Sequence, residues 1–281
     1  MGLSAHFATL TLGASELALP RPDHIVIVIQ ENHSFSQIIG SPDAPYINRL
    51  ATQGALFMQS FGITHPSQPN YLALFSGSTQ GVTDNSCPHS FTTANLGHEL
   101  LAAGLTFIGY SENLPSAGSL ICNVGSYARK HNPWSNWQGS LSNGLPASAN
   151  LSTTSFPAEY SNLPTVSMVV PSQTHDMHNG KDPDRIRAGD RWLRKHLDTY
   201  VQWAQTHNSL LIVTWDEDDK NENNRIPTLF VGPMVQTGRY NQLITHHSLL
   251  RTIEDLYGLP HAGASEDTVP ITQIWRPTEH P

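Results

Sequence analysis

The stretch "HIVIVIQENHSF", residues 24–35, decides how the rest of the chain is read. From Ile25 to Gln30 it is almost entirely β-branched, which suits a strand. An apolar run without alternation is the pattern of a strand covered on both faces, as in a parallel sheet. The run then meets Glu31, Asn32 and His33. Open α/β sheets bind ligands beyond the carboxyl ends of their strands. Glu31 and Asn32 therefore read either as a cap for the helical turn "SFSQIIG" or as one corner of a site.

The same junction recurs along the chain. "ALFMQSFG" (55–62) reads as a strand and is followed by "THPSQPN" (64–70). "TVSMVVP" (165–171) is followed by "SQTHDMHNG" (172–180), and "SLLIVTW" (209–215) by "DEDD" (216–219). Further strands are read at 105–110 and 226–233, and helices at 45–54, 70–77, 93–104, 188–207 and 246–260. The helix at 188–207 carries Trp192, Leu193, Leu197, Tyr200, Val201 and Ala204 on one stripe. Gly54 and Gly258 stop the helices before them. Strand-like and helical patterns alternate throughout, so the expected fold class is α/β, with a mostly parallel central sheet and helices on both faces. No linker divides the chain. Residues 24–281 are expected to form a single domain, with 1–23 an N-terminal segment that is either a signal remnant or a first structural element.

Composition narrows the function classes. With 15 Lys and Arg against 23 Asp and Glu, the formal net charge is −8. That argues against a nucleic-acid partner, while an anionic substrate stays open because a bound cation can reverse the local field. Fifteen His supply acid/base and ligand groups. No apolar run reaches the length of a transmembrane helix. Cys87 and Cys122 lie in Pro-, Ser- and Asn-rich segments, and a disulfide between them would suit a periplasmic or extracellular protein. The oligomeric state is not readable.

Each polar junction has an ordinary explanation by itself. Ser67 can cap the helix that follows it, and "DEDD" can be a solvated acidic loop. Together they point to one edge of a sheet. Clustered carboxylates with an amide oxygen suit a divalent cation. A Ser beside such an ion can lose its proton and attack. Nearby His can protonate a leaving group. Backbone N–H groups after Ser67 and the amide of Asn70 can hold phosphoryl oxygens. Phosphoryl transfer through Ser67 accounts for more of these residues than an acyl hydrolase does, since no G-x-S-x-G surrounds Ser67.

The segments "ENHSFSQIIG", "HPSQPNYLALFSG", "KHNPW", "VPSQTHDMHNG", "DRWL", "LLIVTWDEDD", "NRIPTLFVGP" and "HHSLLRTIEDLYGLP" resemble the bacterial acid phosphatase/phospholipase C phosphoesterase family of the alkaline phosphatase superfamily. The resemblance runs over about residues 24–275. It implies an alkaline-phosphatase-like α/β sandwich with a divalent metal beside a Ser or Thr nucleophile. Position by position, it makes Ser67 the nucleophile and Glu31, Asn32, Asp216 and Glu217 the metal site. His131 and His178 become catalytic, and Asn70, Asp176, His175 and Lys130 bind substrate. His246 matches a family His, but "THHSLLRT" departs from the family's "DHYSLLRT" at Thr245 and His247, leaving His246 either a ligand or a helix start. His65 is a further candidate to approach the phosphate, and His33 either supports the ligands from behind or is a turn residue.

The resemblance implies one ion, and an oxygen-rich site favours Mg, Mn or Ca over Zn. The expected activity is that of an acid phosphatase acting on a small phosphate ester or phospholipid through a phosphoserine. A phospholipase C or other phosphodiesterase is the alternative. An inactive phosphate- or metal-binding protein is the non-enzyme one. A sulfatase fits less well, because "SQPNY" has no Arg in the required context.

Overall fold

The computed structural model describes residues 19–277. Most of the expected N-terminal segment, up to residue 18, lies outside them. The strands in chain order are β1 (His24–Gln30), β2 (Ala55–Phe61), β3 (Phe107–Ser111), β4 (Asn123–Val124), β5 (Tyr127–Ala128), β6 (Asn150–Ser152), β7 (Val166–Val170), β8 (Ser209–Trp215), β9 (Thr228–Val231) and β10 (Gly238–Thr245). The helices are α1 (Phe35–Ile38), α2 (Pro45–Gln53), α3 (Ser67–Ser76), α4 (Leu96–Ala102), α5 (Asp184–Ala204) and α6 (His246–Tyr257).

Eight strands form one sheet in the order β10-β2-β9-β8-β1-β7-β3-β6. β9 pairs antiparallel with both β8 and β2, and the other pairings are parallel. β4 and β5 form a separate hairpin. β1 lies between β7 and β8, so both its faces must be apolar. Ile25, Ile27 and Ile29 point into a core shared with α3, α4 and α6, while Val26 and Val28 point into one shared with α2 and α5. The period of two along a strand puts successive residues on opposite faces. The β-branched run therefore fills two cores at once.

Three differences from the sequence reading have physical causes. α3 begins at Ser67 rather than Asn70, because Pro69 falls in the first turn, where a missing N–H breaks no helical bond. β10 was not anticipated: its residues alternate between exposed and half-buried, as befits an edge strand with little apolar content. Glu254, a charged residue of the helical segment 246–260 that would ordinarily face solvent, is fully buried and accepts bonds from Ala262 N–H at 2.8 Å and Ser265 Oγ at 2.6 Å.

Residues 112–160 form short turns and strands rather than a regular element. They are held by particular contacts. Cys87 and Cys122 form a disulfide. Arg129 is buried and donates to the carbonyls of Leu120, His89 and Ser135. Trp134 lies flat on β3 at Gly109, where any Cβ would stand 2.0 Å from the indole. These anchors carry His131 to the carboxyl edge of the sheet.

Candidate active site

Glu31 is the first residue after β1. It is not needed as a helix cap: Ser34 caps α1, and its N–H donates to Gln37 Oε1 at 2.9 Å. The register that pairs Gln30 with Trp215 sets Glu31 beside Asp216 at the end of β8. Asn32 adopts a left-handed backbone with φ of 52°, which Asn tolerates better than most residues. That turn aims its N–H at Asp216 Oδ1, 3.1 Å away, while its side-chain amide donates to Glu31 Oε2 at 3.2 Å. On the other side of β1, Glu31 N–H donates to the Asp176 carbonyl at 2.8 Å.

Ser67 is also not a cap. Pro66 holds the cap position of α3, and Ser67 Oγ instead donates to Glu31 Oε2 at 3.0 Å. Four residues on, Tyr71 donates its hydroxyl to Glu31 Oε1 at 2.6 Å. Residues at i and i+4 lie one above the other on a helix, so one face of α3 grips both oxygens of one carboxylate. Asn70 spends its side chain on the loop before the helix. Its Oδ1 accepts from Ile63 and Thr64 N–H at 2.8 and 3.0 Å, and its Nδ2 donates to the Thr64 carbonyl and to Glu217 Oε2.

His131 lies between two carboxylates, with Nε2 3.0 Å from Glu31 Oε1 and Nδ1 3.3 Å from Asp176 Oδ2. Neither approach is aligned as a hydrogen bond, so both are charge contacts. The ring stacks on Tyr71 with centroids 5.1 Å apart. Asp176 Oδ1 accepts from His178 N–H at 2.8 Å. His178 is half-buried, and its Nε2 lies 3.4 Å from Lys130 Nζ.

The electrostatics follow from this crowding. Burial alone would raise Glu31, but His131, Lys130 and His178 outweigh it and hold the carboxyl at about 2. Burial and then Glu31 and Glu217 push Asp216 well above the usual carboxylate range. Burial and Glu31 push Glu217 up to about 8. Burial and Glu31 also raise Asp176, against the opposing pull of His131. For His131, burial favours the neutral ring, and the two carboxylates overcome it to raise its pKa. Asp216 Oδ2 and Asp176 Oδ2 are buried without a hydrogen-bond partner. Crowded carboxylates with orphaned oxygens are what a divalent cation satisfies, so the residues present fit such an ion. Glu31, His131 and Asp176 offer ligand atoms that all fall within 4.8 Å of one another. This trio shares only Glu31 with the expected set. Asp216 stands across Asn32 from Glu31, and Glu217 is turned toward Asn70 and His65.

The remaining His residues divide plainly. His65 sits 3.0 Å from Glu217 Oε2 and 3.2 Å from Asp218 Oδ1, at the rim of the acidic cluster. His246 is the first residue of α6, which Thr245 caps, and its Nε2 lies 2.6 Å from the Asp216 carbonyl. Burial lowers it to about 4, so the neutral ring donates to that carbonyl and braces the end of β8. His33 bridges the Glu31 carbonyl and Asp182, away from the cluster. His175 turns outward to Glu112, 2.8 Å away.

Two residues of the site were not singled out from sequence. Tyr71 could have been found by stepping one helical turn from Ser67. Asp218 lies within the quoted "DEDD" run, and its carboxylate accepts from Lys220, Glu222 and Asn224 N–H, fixing the loop after β8.

With the geometry in place, comparison with known proteins gives the class. A protein of the alkaline phosphatase superfamily from Vibrio parahaemolyticus superposes with a TM-score of 0.59 over 94% of this chain and 76% of its own, at 14% identity. The lipoteichoic acid synthase LtaP from Listeria monocytogenes superposes at 0.57 over 87% and 74%, at 11% identity. The fold is that of the alkaline phosphatase superfamily. Residues 41–260 match the Phosphoesterase family, and the chain belongs to that family. A phosphatidylinositol-3-phosphatase of Mycobacterium tuberculosis is 49% identical over 267 residues, covering 94% of this chain and 86% of its own. An acid phosphatase of Aspergillus fumigatus is 28% identical, covering 80% of this chain and 53% of its own. The protein is a phosphoric ester hydrolase.

Proposed function

We propose that the chain is a metal-dependent phosphomonoesterase of the acid phosphatase kind, working through a phosphoserine at Ser67. One observation carries this reading. The buried hydroxyl of Ser67, at the amino end of α3, donates to Glu31 beside the Asp216–Glu217 pair and opposite His131. Glu31 orients the hydroxyl, and the amino end of the helix favours the negative charge of a phosphoryl group. Ser67 Oγ attacks phosphorus as its proton passes to Glu31, to which it donates, and the departing alcohol takes its proton from His178, a half-buried imidazole of the site. Water then cleaves the phosphoserine, His178 accepts the water's proton, and the departing Ser67 oxygen recovers its proton from Glu31. His131, held between Glu31 and Asp176, contributes positive charge and fixes both carboxylates.

Glu31, Asn32, Asp216 and Glu217 would hold the cation, with Asp176 and His131 close by. A bound divalent ion would supply Lewis acidity and a lowered pKa for a hydroxyl beside it. The oxygen donors suit Mg, Mn or Ca. The two relatives' names favour a monoester over a diester, and the disulfide fits an exported protein acting in one phosphoesterase domain from residue 24 onward. No helix among the described residues is long and apolar enough to cross a membrane.

Ser67→Ala tests the reading. Turnover of p-nitrophenyl phosphate should fall by about four orders of magnitude or more, while metal content stays that of the wild type. Near-normal rates in Ser67→Ala would overturn the nucleophile. Bis-p-nitrophenyl phosphate and p-nitrophenylphosphorylcholine, measured in parallel, separate monoester from diester hydrolysis.

A further inference from the structure

The first turn of α3 is poor in donors for an anion. A helix start, counted from its cap, ordinarily leaves four backbone N–H groups without a helical partner. Two of those positions are here proline, Pro66 and Pro69, and carry no N–H. Ser67 and Gln68 supply the other two. Among the described residues Ser67 N–H has no partner, but Gln68 N–H is taken: it donates to Asn85 Oδ1 at 3.0 Å. Asn70, the amide expected to hold phosphoryl oxygens, is committed to the Thr64 carbonyl and to Glu217.

Asn85 lies in the loop between α3 and α4, and it is exposed. The atom that faces Gln68 N–H must be an acceptor, so the amide is fixed with its oxygen toward the helix. Its nitrogen is left over, and among the described residues Asn85 Nδ2 has no partner. The bond therefore exchanges one N–H of the helix start for a side-chain NH2 one amide further out.

The loop that carries Asn85 is tied at several points. Asp84 accepts from Ser86 N–H at 3.0 Å across Asn85. Cys87 is joined to Cys122. The buried Arg129 donates to the His89 carbonyl at 3.0 Å and to the Leu120 carbonyl at 2.9 Å, so one guanidinium binds this loop to the segment before β4. Two residues after Arg129 comes His131, 3.0 Å from Glu31, and Glu31 accepts from Ser67. The contacts close a ring that runs from Ser67 through Glu31, His131, Arg129 and Asn85 to Gln68, the residue beside the nucleophile. A phosphoryl group on Ser67 thus forms within reach of the Asn85 side chain.

We propose that Asn85 is a substrate-binding residue of the Ser67 site. Its oxygen stays anchored on Gln68 N–H, and its Nδ2 donates to an equatorial phosphoryl oxygen as Ser67 attacks. The proposal rests on the phosphomonoesterase reading of that site. It supplies the donor that Pro66, Pro69 and the committed Asn70 withhold.

Asn85→Asp and Asn85→Ala separate this role from that of a helix cap. Asp keeps an acceptor for Gln68 N–H and removes the donor, whereas Ala removes both. Assays in about 1 M salt screen the added charge of Asp beyond contact range. Both variants should lower kcat/KM for p-nitrophenyl phosphate by about 100-fold, and Asn85→Asp should keep the wild-type Tm. Asn85→Ala within about threefold of the wild-type kcat/KM would overturn the proposal. So would an Asn85→Asp enzyme that works at the wild-type rate while Asn85→Ala does not, the result of a cap alone. If the wild type does not turn over p-nitrophenyl phosphate, or Ser67→Ala does, the reading of the site has failed separately. Asn85 is then judged by equilibrium dialysis of inorganic phosphate against the wild type and Asn85→Ala. Binding about tenfold weaker in the variant is expected, and equal affinities would overturn the assignment.

Discussion

Replacing Tyr71 by Phe isolates the grip of α3 on Glu31. The substitution removes one oxygen and leaves the ring stacked on His131. Glu31 Oε1 then loses its short bond from the Tyr71 hydroxyl and keeps only the misaligned approach of His131. Glu31 is fully buried, so no solvent replaces the donor. A hydrogen bond to a charged group contributes about 1.5–3 kcal/mol, and about 2 kcal/mol corresponds to roughly a 30-fold change in rate. Burial and the carboxylates of Glu31, Asp216 and Asp176 hold the Tyr71 phenol well above its usual pKa, so the hydroxyl is a donor at every working pH. The expected result is a kcat on p-nitrophenyl phosphate reduced about 30-fold with KM within about threefold, and a loss of about 2 kcal/mol in urea unfolding. A Tyr71→Phe enzyme that loses this stability yet keeps wild-type kcat would refute the idea that Glu31 must be held in place for Ser67 to react. Strict additivity of Tyr71→Phe with Glu31→Gln would refute the coupling itself.

Three further outcomes are expected. Chelation should abolish turnover, and Mg, Mn or Ca should restore it better than Zn, as followed by p-nitrophenyl phosphate release. Asp216→Asn should stabilise the metal-free protein by about 1–3 kcal/mol, because it relieves a buried carboxylate crowded by Glu31 and Glu217; it should also erase the rise in Tm that those ions give the wild type. Glu99, on α4, is buried with both carboxylate oxygens unpartnered, and burial with neighbouring Glu254 pushes it up to about 8. Its folded pKa lies above the unfolded value, so this group removes stability as pH rises from about 4.5 to about 8, by up to about 5 kcal/mol. Glu99→Gln should accordingly gain in Tm over the wild type at pH 8.5 and not at pH 4; equal differences at the two pH values would contradict this.

The strands at 24–30 and 209–215 were legible to the residue, because a strand buried on both faces is an unbroken apolar run. The convergence of Glu31, Ser67, Asp176 and Asp216 was legible for the same reason: parallel strands put their carboxyl ends on one edge. What escaped was set by contacts that leave no periodic trace. β10 pairs through its backbone at an edge. Asp190, on α5, accepts from Tyr46 and Ile47 N–H at the first turn of α2, a neighbour distant in sequence. The inward turn of Asp176 and the outward turn of His175 depend on one backbone bend, which no side-chain pattern announces.

The place of β1 in the sheet has a consequence for synthesis. Among the described strands it is the first to be synthesised, yet its two neighbours, β7 and β8, begin at Val166 and Ser209. At about 5–20 residues per second, the run "IVIVI" waits roughly 7–27 seconds for its first partner. Throughout that interval it is an uncharged, β-branched segment with both edges open, the kind of sequence that pairs with other chains. The strand that anchors the finished molecule is thus an aggregation-prone piece while nascent, and yield in a heterologous host should rise with chaperone supply.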